Sequence, residues 1–382
     1  MRIAIVHSFY GSGQPSGENR VVVDQAGALM RAGHDVLLLG RSTDLEQARR
    51  LYPLRAATRV ATGVGPDPTK KLEAFQPDVV HLHNLFPNVG TRWLATWDGP
   101  IAASVHNYRA VCANGLLFRD GHVCTECPDI GQRRSIVHRC YRDSVLATVP
   151  LAVSRSSQGL FVLRRADAVI TTSRVSDEVI RRLVPGVSKT HVVPNFGAPR
   201  PAQAPVLGEQ SGWLAMGRFS PEKGLAELAR DWPADEALDV IGSGPELGRI
   251  AAAARGKNIT IVPTMDRSEL RSRLSGYLGF VFPSLWFEVA PQVALEAMRV
   301  GLPIVAHEAN AVSELVESTG CGAIYHDRES LRLALGSVTS DRALLHRRAV
   351  EAYDAQFSEE EWLRSMTALY STLIKDEPDA LG

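Results

Sequence analysis

The sequence of 382 residues lacks several features that would narrow its function directly. It has no net charge, because 42 Lys and Arg balance 42 Asp and Glu, so no overall field favours nucleic acid as a partner. It has no run of eighteen apolar residues, which argues against a transmembrane helix. Its first apolar run is too short for a signal peptide, and five unevenly spaced cysteines favour a reducing compartment. We therefore expect a cytoplasmic protein that does not bind nucleic acid.

The composition is that of a globular protein, with 45% hydrophobic and 22% charged residues and no low-complexity tract. A chain of this length exceeds one ordinary hydrophobic core, so two domains are expected. Short runs such as IAIVHS and DVVHLH alternate with helical stretches in the first 173 residues, and a second series starts at GWLAMGRF. Apolar strands separated by helices are typical of parallel sheets covered on both faces. The sequence therefore predicts an α/β fold with two Rossmann-like domains.

The domain boundaries follow from composition and periodicity. The N-terminal domain is predicted at 1–195 and the C-terminal domain at 213–359, joined by a linker at 196–212 that is rich in Pro, Ala and Gly. An amphipathic stretch at about 360–382 predicts a closing helix that packs back on the N-terminal domain. Two such domains would leave a deep interdomain cleft at the carboxyl ends of both sheets, where ligands bind in this class of fold.

Two motifs of the N-terminal domain follow predicted strands and so point toward this cleft. The first strand ends in GSGQPSG, where Gly13 and Gly17 would let backbone N–H groups approach a phosphate or a sugar. A plain tight connection explains the same glycines. The run VVHLHN places His81, His83 and Asn84 at another strand end, either as acceptor contacts or as local hydrogen-bonding residues.

The C-terminal domain opens with two further strand-end motifs. In GRFSPEKG, Arg218 and Lys223 stand five residues apart and suit a diphosphate, although two solvated surface cations would look the same. The chain has only six lysines against thirty-six arginines, so a lysine at position 223 indicates a specific role. The next motif, VIGSGPELG, contains Gly244 but is one residue too long for the dinucleotide fingerprint. It supports the Rossmann topology and does not indicate NAD.

The stretch WFEVAPQVALEAMRVGLPIV carries two glutamates, Glu288 and Glu296, around the start of a predicted helix. Pro291 suits the first helical position, and eight residues of helix rise about 12 Å. That separation is too long for a shared proton or metal, but it suits the two ends of an extended ligand with a phosphate at the helix N-terminus. A nucleotide sugar has this form. An exposed loop glutamate and an exposed helical glutamate are the alternative.

Four cysteines of the N-terminal domain form the pattern C-x11-C-x2-C-x12-C, and His138 lies among them. This pattern is compatible with a structural tetrahedral zinc, with His138 as an alternative ligand. Buried or free thiols and disulfides remain open, because the outer spacings are not those of a standard zinc finger. The predicted ligands are Cys112, Cys124, Cys127 and Cys140.

The same region contains the arginine-rich run RRSIVHRCYR. Such a cluster is usually a solvated face. The functional alternative is a surface for a phosphorylated or lipid-linked acceptor at the inner face of a membrane.

Together these motifs resemble the retaining family-4 glycosyltransferases of the GT-B fold. The resemblance is carried from Gly212 to His307 by GRFSPEKG, VIGSGPEL, FVFPS and the Glu288–Glu296 pair followed by EAMRVGLPIVA. It extends more loosely over the N-terminal half through RAGHDV, PDVVHLHN and SVHNYRAVCANGLLFRDG. One departure is Val289-Ala290-Pro291, where the commoner family pattern is glycine-rich and where proline removes an amide donor.

The resemblance implies roles for individual residues. The residues placed at the reacting sugar and the leaving diphosphate are Glu288, His106, Arg218 and Lys223. The residues placed around the donor are Gly13, Gly17, Arg218, Lys223, Gly244, Thr264, Met265, Glu288, Ala290, Pro291 (through its carbonyl), Gln292, Val293 and Glu296. The residues placed toward the acceptor are His81, His83, Asn84, His106 and Asn107.

The implied function is transfer of a sugar from a nucleotide-diphosphate sugar, UDP favoured and GDP second, to a hydroxyl of a glycan, lipid-linked or small-molecule acceptor. Family members retain the anomeric configuration and need no metal for catalysis, so no cofactor is expected beyond the structural zinc. The alternatives are a GT-B nucleotide-sugar epimerase or hydrolase and a non-catalytic sugar-nucleotide-binding protein. A Rossmann oxidoreductase explains neither the two glutamates nor Arg218 and Lys223.

Overall fold

The structure is a computed structural model that describes residues 1–13, 17–157, 160–187, 189–200, 212–289, 292–308 and 310–375, without the side chains of 155–157, 267 and 268. Most of the predicted linker, 201–211, lies outside these ranges. The chain divides into two compact units, which are described separately. Unit 1 comprises Met1–Leu117, Cys124–Val193 and Leu363–Gly382, and unit 2 comprises Phe118–Val123 and Pro194–Trp362.

The strands of the described residues follow one another along the whole chain. In chain order they are β1 Arg2–Phe9, β2 Asp35–Ser42, β3 Val79–Leu82, β4 Ile101–Ser104, β5 Phe118–Arg119, β6 His122–Val123, β7 Ala168–Thr171, β8 Thr190–Val192, β9 Trp213–Arg218, β10 Leu238–Ser243, β11 Ile259–Val262, β12 Phe280–Phe282, β13 Ile304–His307 and β14 Gly322–Tyr325.

Helices connect these strands, with short 3-10 turns at Arg92–Ala95 and Pro221–Lys223. They are α1 Gly17–Arg31, α2 Thr43–Gln47, α3 Tyr52–Thr62, α4 Thr69–Phe75, α5 Glu126–Asp129, α6 Arg133–Val137, α7 Val145–Ser157, α8 Phe161–Arg165, α9 Arg174–Leu183, α10 Leu225–Asp231, α11 Leu247–Ala253, α12 Arg267–Leu274, α13 Gln292–Arg299, α14 Ala311–Thr319, α15 Arg328–Ser340, α16 Arg342–Gln356 and α17 Glu359–Lys375. Over the described ranges, none of them combines the length and apolarity that crossing a bilayer requires.

The sheet of unit 1 is parallel, with the strand order β2-β1-β3-β4-β7-β8. Its inner strands are buried on both faces, which explains why their sequences are continuous apolar runs. In this register Ile5 of β1 lies beside His81 of β3, and His81 lies beside Ala102 of β4. The carboxyl ends of β1, β3 and β4 therefore meet at one edge of the sheet.

The sheet of unit 2 is also parallel, with the order β11-β10-β9-β12-β13-β14. Along β9, Leu214 and Met216 pack into one core with α13, α14 and α16, while Trp213 and Ala215 pack into a second core with α10, α11 and α15. This alternation is that of a strand whose two faces are both covered. Numbered within the unit, the strand order is 3-2-1-4-5-6, which is the Rossmann order.

The predicted α/β fold with two Rossmann-like domains is confirmed by these two sheets.

Candidate active site

The direction of winding reverses in unit 2 between β9 and β12, which are neighbours in the sheet. In open α/β sheets, ligands bind outside the carboxyl ends of the strands at such a switch point. The end of β9 and the loops that follow these two strands carry three of the predicted catalytic residues. They are Arg218, Lys223 and Glu288.

Glu288 lies in the loop after β12 with only 7% of its surface exposed. Its Oε2 accepts hydrogen bonds from Lys223 Nζ at 2.6 Å, Trp286 Nε1 at 3.0 Å and Ser284 Oγ at 3.3 Å. The Lys223 ammonium also lies 5.4 Å from the centroid of the Trp286 ring. No hydrogen bond from the described residues reaches Glu288 Oε1. One carboxylate oxygen is therefore held by the protein, and the other can accept from a ligand.

Arg218, the last residue of β9, has a side chain that is 63% exposed. Its Nη2 donates to Glu222 Oε1 at 2.8 Å and its Nε donates to Ser220 Oγ at 3.3 Å. Ser220 Oγ donates to the same Glu222 oxygen at 2.6 Å. Burial alone would raise the pKa of Glu222, but hydrogen bonds from Ser220 and Arg218 outweigh it and lower that pKa. The ionised Glu222 therefore holds the guanidinium of Arg218 through Nη2, and the remaining N–H groups of that guanidinium are open to solvent.

Two glycines allow the strand-end loops of unit 2 to approach each other closely. Gly224 has φ +65°, and a Cβ there would lie 2.1 Å from the carbonyl oxygen of Pro283. Gly244 has φ +150°, and a Cβ there would lie 2.4 Å from the carbonyl oxygen of Phe219. Any larger residue would push these loops apart. The close approach at Gly224 is what brings Lys223 to the loop of Glu288.

The residues predicted beside the base lie after β11. Thr264 Oγ1 donates to Ser243 Oγ at 3.1 Å, which links the ends of β10 and β11. Met265 is half-buried and packs against the core of unit 2. The structure thus places Thr264 at the same edge of the sheet as Arg218.

The predicted phosphate site lies at the start of α13, which begins at Gln292. Ala290 and Pro291 lie outside the described residues. The Gln292 side-chain Nε2 is buried without a hydrogen-bond partner among the described residues, and Val293 packs against the core. Glu296 lies one turn further along the helix.

In unit 1, four histidines gather at the carboxyl ends of β1, β3 and β4. They are His7, His81, His83 and His106. His83 Nδ1 and His106 Nε2 are 2.8 Å apart, and their rings stack with centroids 5.1 Å apart. Burial lowers the pKa of His7 to about 4 and the pKa values of His81 and His106 to about 3, and it lowers the pKa of His83 well below its ordinary value. All four are neutral imidazoles at neutral pH.

His81 is predicted to contact the acceptor, but its ring is hydrogen-bonded within the protein. Its Nε2 is 2.8 Å from Ser104 Oγ and its Nδ1 is 2.7 Å from the hydroxyl of the fully buried Tyr370 on α17. Both ring nitrogens are occupied, and the residue does not line the cavity described next. His81 therefore joins α17 to the sheet of unit 1.

A cavity of about 150 Å³ in unit 1 is lined by the other predicted acceptor residues, which are His83, Asn84, His106 and Asn107. His83 and Asn84 are each more than nine-tenths buried. His83 Nε2 and Asn84 Nδ2 have no hydrogen-bond partner among the described residues. Buried polar atoms of this kind are ordinarily satisfied, so they indicate a ligand or water in the cavity. Apolar side chains such as Phe86 and Leu163 complete the wall.

Glu18 also lines this cavity, although no motif of the sequence points to it. Its Oε2 accepts from Asn107 Nδ2 at 3.3 Å, and its Oε1 is buried without a partner among the described residues. Burial raises the pKa of Glu18 to about 7, against the opposing effects of Arg109 and of hydrogen bonds. The available signal was its position in the first turn of α1, directly after the glycine-rich loop.

The predicted glycines of that loop are not required by packing. A Cβ at Gly13 or at Gly17 would meet nothing within 4 Å among the described residues. Residues 14–16 between them lie outside the described ranges.

No disulfide bond joins the cysteines of the described residues, which are Cys112, Cys124, Cys127, Cys140 and Cys321. Burial, reinforced by the three neighbouring thiols, raises the pKa of Cys127 to about 12. Cys112 Sγ donates to Asn114 Oδ1 at 2.9 Å, and His138 Nε2 lies 3.2 Å from Glu126 Oε2. Over the ranges that the structure describes, no three His, Cys, Asp or Glu side chains are grouped so as to hold a metal ion. The structural zinc at Cys112, Cys124, Cys127 and Cys140 therefore stays a prediction from the cysteine spacing.

The chain matches known sequences over both halves. Residues 15–196 match the family model described as Glycosyltransferase Family 4, and residues 204–355 match Glycosyl transferases group 1. A glycogen synthase of Mycobacterium tuberculosis is 26% identical over 427 aligned positions, which cover 96% of this chain and 93% of that protein.

Solved structures show the same architecture. The sucrose-phosphate synthase from Thermosynechococcus elongatus superimposes with a TM-score of 0.69 at 19% identity, over 98% of this chain and 99% of that one. The Anabaena protein HepE in complex with UDP gives a TM-score of 0.58 at 15% identity, over 97% and 100%.

Two Rossmann-type units, with polar and charged side chains gathered at strand ends in each, are the architecture of the glycosyltransferases with the GT-B fold. Within that class the chain belongs to the glycosyltransferase family 4, group 1 type, and it is a glycosyltransferase enzyme.

Proposed function

We propose that this enzyme transfers a sugar from a nucleotide-diphosphate sugar to an acceptor hydroxyl with retention of the anomeric configuration. The observation that carries the proposal is the Lys223–Glu288 ion pair, 2.6 Å long, at the switch point of unit 2. A cation that suits a phosphate and a carboxylate that suits sugar hydroxyls thus lie within one small region. Arg218 stands at the same edge with donors open to solvent.

The donor would lie along this edge of the sheet. Arg218 and Lys223 would hold the diphosphate, the first residues of α13 would supply backbone N–H groups, and Glu296 would accept from the ribose hydroxyls. Thr264 and Met265 would lie beside the base. UDP is the favoured nucleotide, in line with the UDP complex of HepE, and GDP is the second choice.

In the proposed reaction, the bond between the anomeric carbon and the diphosphate oxygen breaks while the acceptor oxygen attacks from the same face. The acceptor proton passes to the departing phosphate oxygen. Arg218 and Lys223 neutralise the charge that develops on the diphosphate, so catalysis needs no metal. Glu288 accepts three hydrogen bonds on Oε2, one of them from an ammonium, which makes it a poor nucleophile. Its role is to orient sugar hydroxyls and to stabilise positive charge at the anomeric carbon.

The cavity of unit 1 is the proposed acceptor site. His83 Nε2 and Asn84 Nδ2 supply unsatisfied polar atoms, and Glu18 supplies a carboxyl whose pKa burial raises to about 7. These groups suit the hydroxyls of a glycan, a lipid-linked sugar or a small polyol. Since the His106 and His83 rings are neutral, they act as hydrogen-bonding groups at neutral pH.

A thermal-shift panel of UDP-, GDP-, ADP- and dTDP-sugars tests the donor. We expect UDP-sugars to raise the Tm of the wild type and of Glu269→Gln, a control at an exposed acid of unit 2. Glu288→Ala should keep the fold and abolish transfer. The anomeric configuration of the product, measured by NMR, tests retention, and an inverted product would refute it. Release of free or epimerised sugar without an acceptor would instead favour a hydrolase or an epimerase.

A further inference from the structure

Unit 1 exposes large aliphatic side chains in two stretches of the chain, residues 45–54 and 130–146. Single exposed apolar residues are normal on a protein surface, but a concentration of them marks a contact surface. Among the described residues outside these stretches, only Leu333 of unit 2 is an aliphatic residue at least 60% exposed. The aliphatic residues at least 60% exposed here are Leu45, Leu51, Leu54, Ile130, Val137 and Leu146.

Exposed arginines stand between these aliphatic residues. They are Arg49, Arg50, Arg55, Arg133, Arg134, Arg139 and Arg142. Residues 45–55 contain one acid, the buried Glu46, and residues 130–149 contain only Asp143, although the whole chain has no net charge. Arg49 contacts Glu46 at 3.7 Å and Arg134 contacts Glu126 at 3.5 Å, while Arg133 and Arg139 form no ion pair with any described residue. The local charge is therefore strongly positive.

The two stretches are neighbours in the fold, because α3 and α6 both pack against α7. On α7, Val145, Leu146 and Val149 are exposed while Thr148 and Leu151 are buried, so one face of the helix is both apolar and open. We name these exposed aliphatic and arginine side chains of 45–55 and 130–149 the arginine–leucine surface. Helices α3 and α7 also line the acceptor cavity, through Arg59, Val60 and Ser154.

We propose that the arginine–leucine surface docks unit 1 on an anionic lipid bilayer. Aliphatic side chains flanked by arginines are the chemistry of an interfacial contact, in which the former enter the acyl boundary and the latter bind lipid phosphates. A nucleic acid would use the arginines but leaves the exposed leucines unexplained. Since the surface adjoins the acceptor cavity, the bilayer would present a lipid-linked acceptor to it. This last point rests on the proposed function, whereas the docking itself does not.

Co-sedimentation with vesicles tests the docking, using phosphatidylcholine alone and a three-to-one mixture with phosphatidylglycerol. The wild type should bind the mixed vesicles at least tenfold more tightly. Arg133→Gln/Arg139→Gln should weaken this binding by about thirtyfold, and Leu54→Ser/Leu146→Ser should weaken it at least tenfold. The matched controls Leu333→Ser on α15 and Arg347→Gln on α16, both exposed positions of unit 2, should bind as the wild type does.

Absence of binding to the mixed vesicles would overturn the proposal. So would binding that depends on the arginines but not on the leucines, because a polyanion such as heparin or nucleic acid would then compete equally well. Transfer to a water-soluble acceptor should be unchanged in both double variants, and melting curves show that they are folded. Loss of that activity in a folded variant would place the surface in catalysis and refute docking. If none of the nucleotide sugars binds or supports transfer, the proposed function is refuted, and the vesicle-binding result still stands.

Discussion

Replacing Lys223 with methionine removes the positive charge 2.6 Å from Glu288. It leaves a carboxylate without its counter-charge on a side chain that is only 9% exposed. At an effective dielectric constant of about 20, unit charges this far apart attract by about 6 kcal/mol. Part of that attraction only offsets desolvation, and removing one partner of a buried pair costs about 3–5 kcal/mol. Because the Lys223 side chain is 22% exposed, we expect the lower end, about 3 kcal/mol.

In a unit of about 175 residues, 1 kcal/mol corresponds to about 2–4 °C in Tm, so the Tm of unit 2 should fall by about 6–12 °C. Tryptophan fluorescence can follow it, since Trp286 contacts Glu288 and lies beside Lys223. The double variant Lys223→Met/Glu288→Gln removes both charges and should recover most of the lost stability. Transfer activity should be lost in both variants.

Arg230→Met is the matched control, because its ion pair with Asp231 is 2.8 Å long but exposed, with the arginine side chain 66% open to solvent. Its effect should stay below about 1 kcal/mol. If Lys223→Met melts within about 1 °C of the wild type, the pair is not desolvated and the reasoning fails. A double variant that keeps full activity would remove both residues from the reaction.

Glu296→Gln should weaken UDP binding by about 1–3 kcal/mol in calorimetry, and unchanged affinity would refute its assignment to the ribose. Because burial raises the pKa of Glu18 to about 7, acceptor affinity should fall as the pH drops below 7, and Glu18→Gln should abolish that dependence. The folded-state pKa values of His81 and His106, about 3, lie below the ordinary 6.5, so the unfolded chain binds more protons between these values. Stability should thus be full above pH 6.5 and fall with acid by up to about 1.4 kcal/mol per pH unit for each histidine; equal urea midpoints at pH 7 and pH 5 would contradict this. Dialysis against EDTA should leave transfer unchanged. One zinc ion bound per protein molecule would confirm the zinc site that the cysteine spacing predicts.

The positions of Arg218, Lys223 and Glu288 could be predicted because each lies at or shortly after the end of a strand, and parallel strands end at one edge of their sheet. Their partners could not be predicted. Glu222 holds Arg218, and Trp286 holds Glu288, through side-chain rotamers that the sequence pattern does not encode. The sequence therefore predicts the edge of the sheet at which these residues lie, but not the neighbouring groups that orient their side chains.

The acceptor side shows the same limit. His81 and His83 stand two apart at the end of β3, and the sequence predicts one role for both, since alternate residues share a face. Only His83 reaches the cavity, because His81 is taken by Tyr370, which lies 289 positions away along the chain. Glu18 was missed because a single acid after a loop looks like an ordinary helix N-terminus.

The sequence by itself determined the α/β class, the two sheets and the family, because apolar runs, helix starts and strand-end motifs are local patterns. The tertiary structure alone decided which charges pair and which histidine is structural. It also brought the arginines and leucines of two distant stretches next to one another. These outcomes depend on distances of a few ångström between segments far apart in the chain, and such distances are set only when both sheets and their helices are packed.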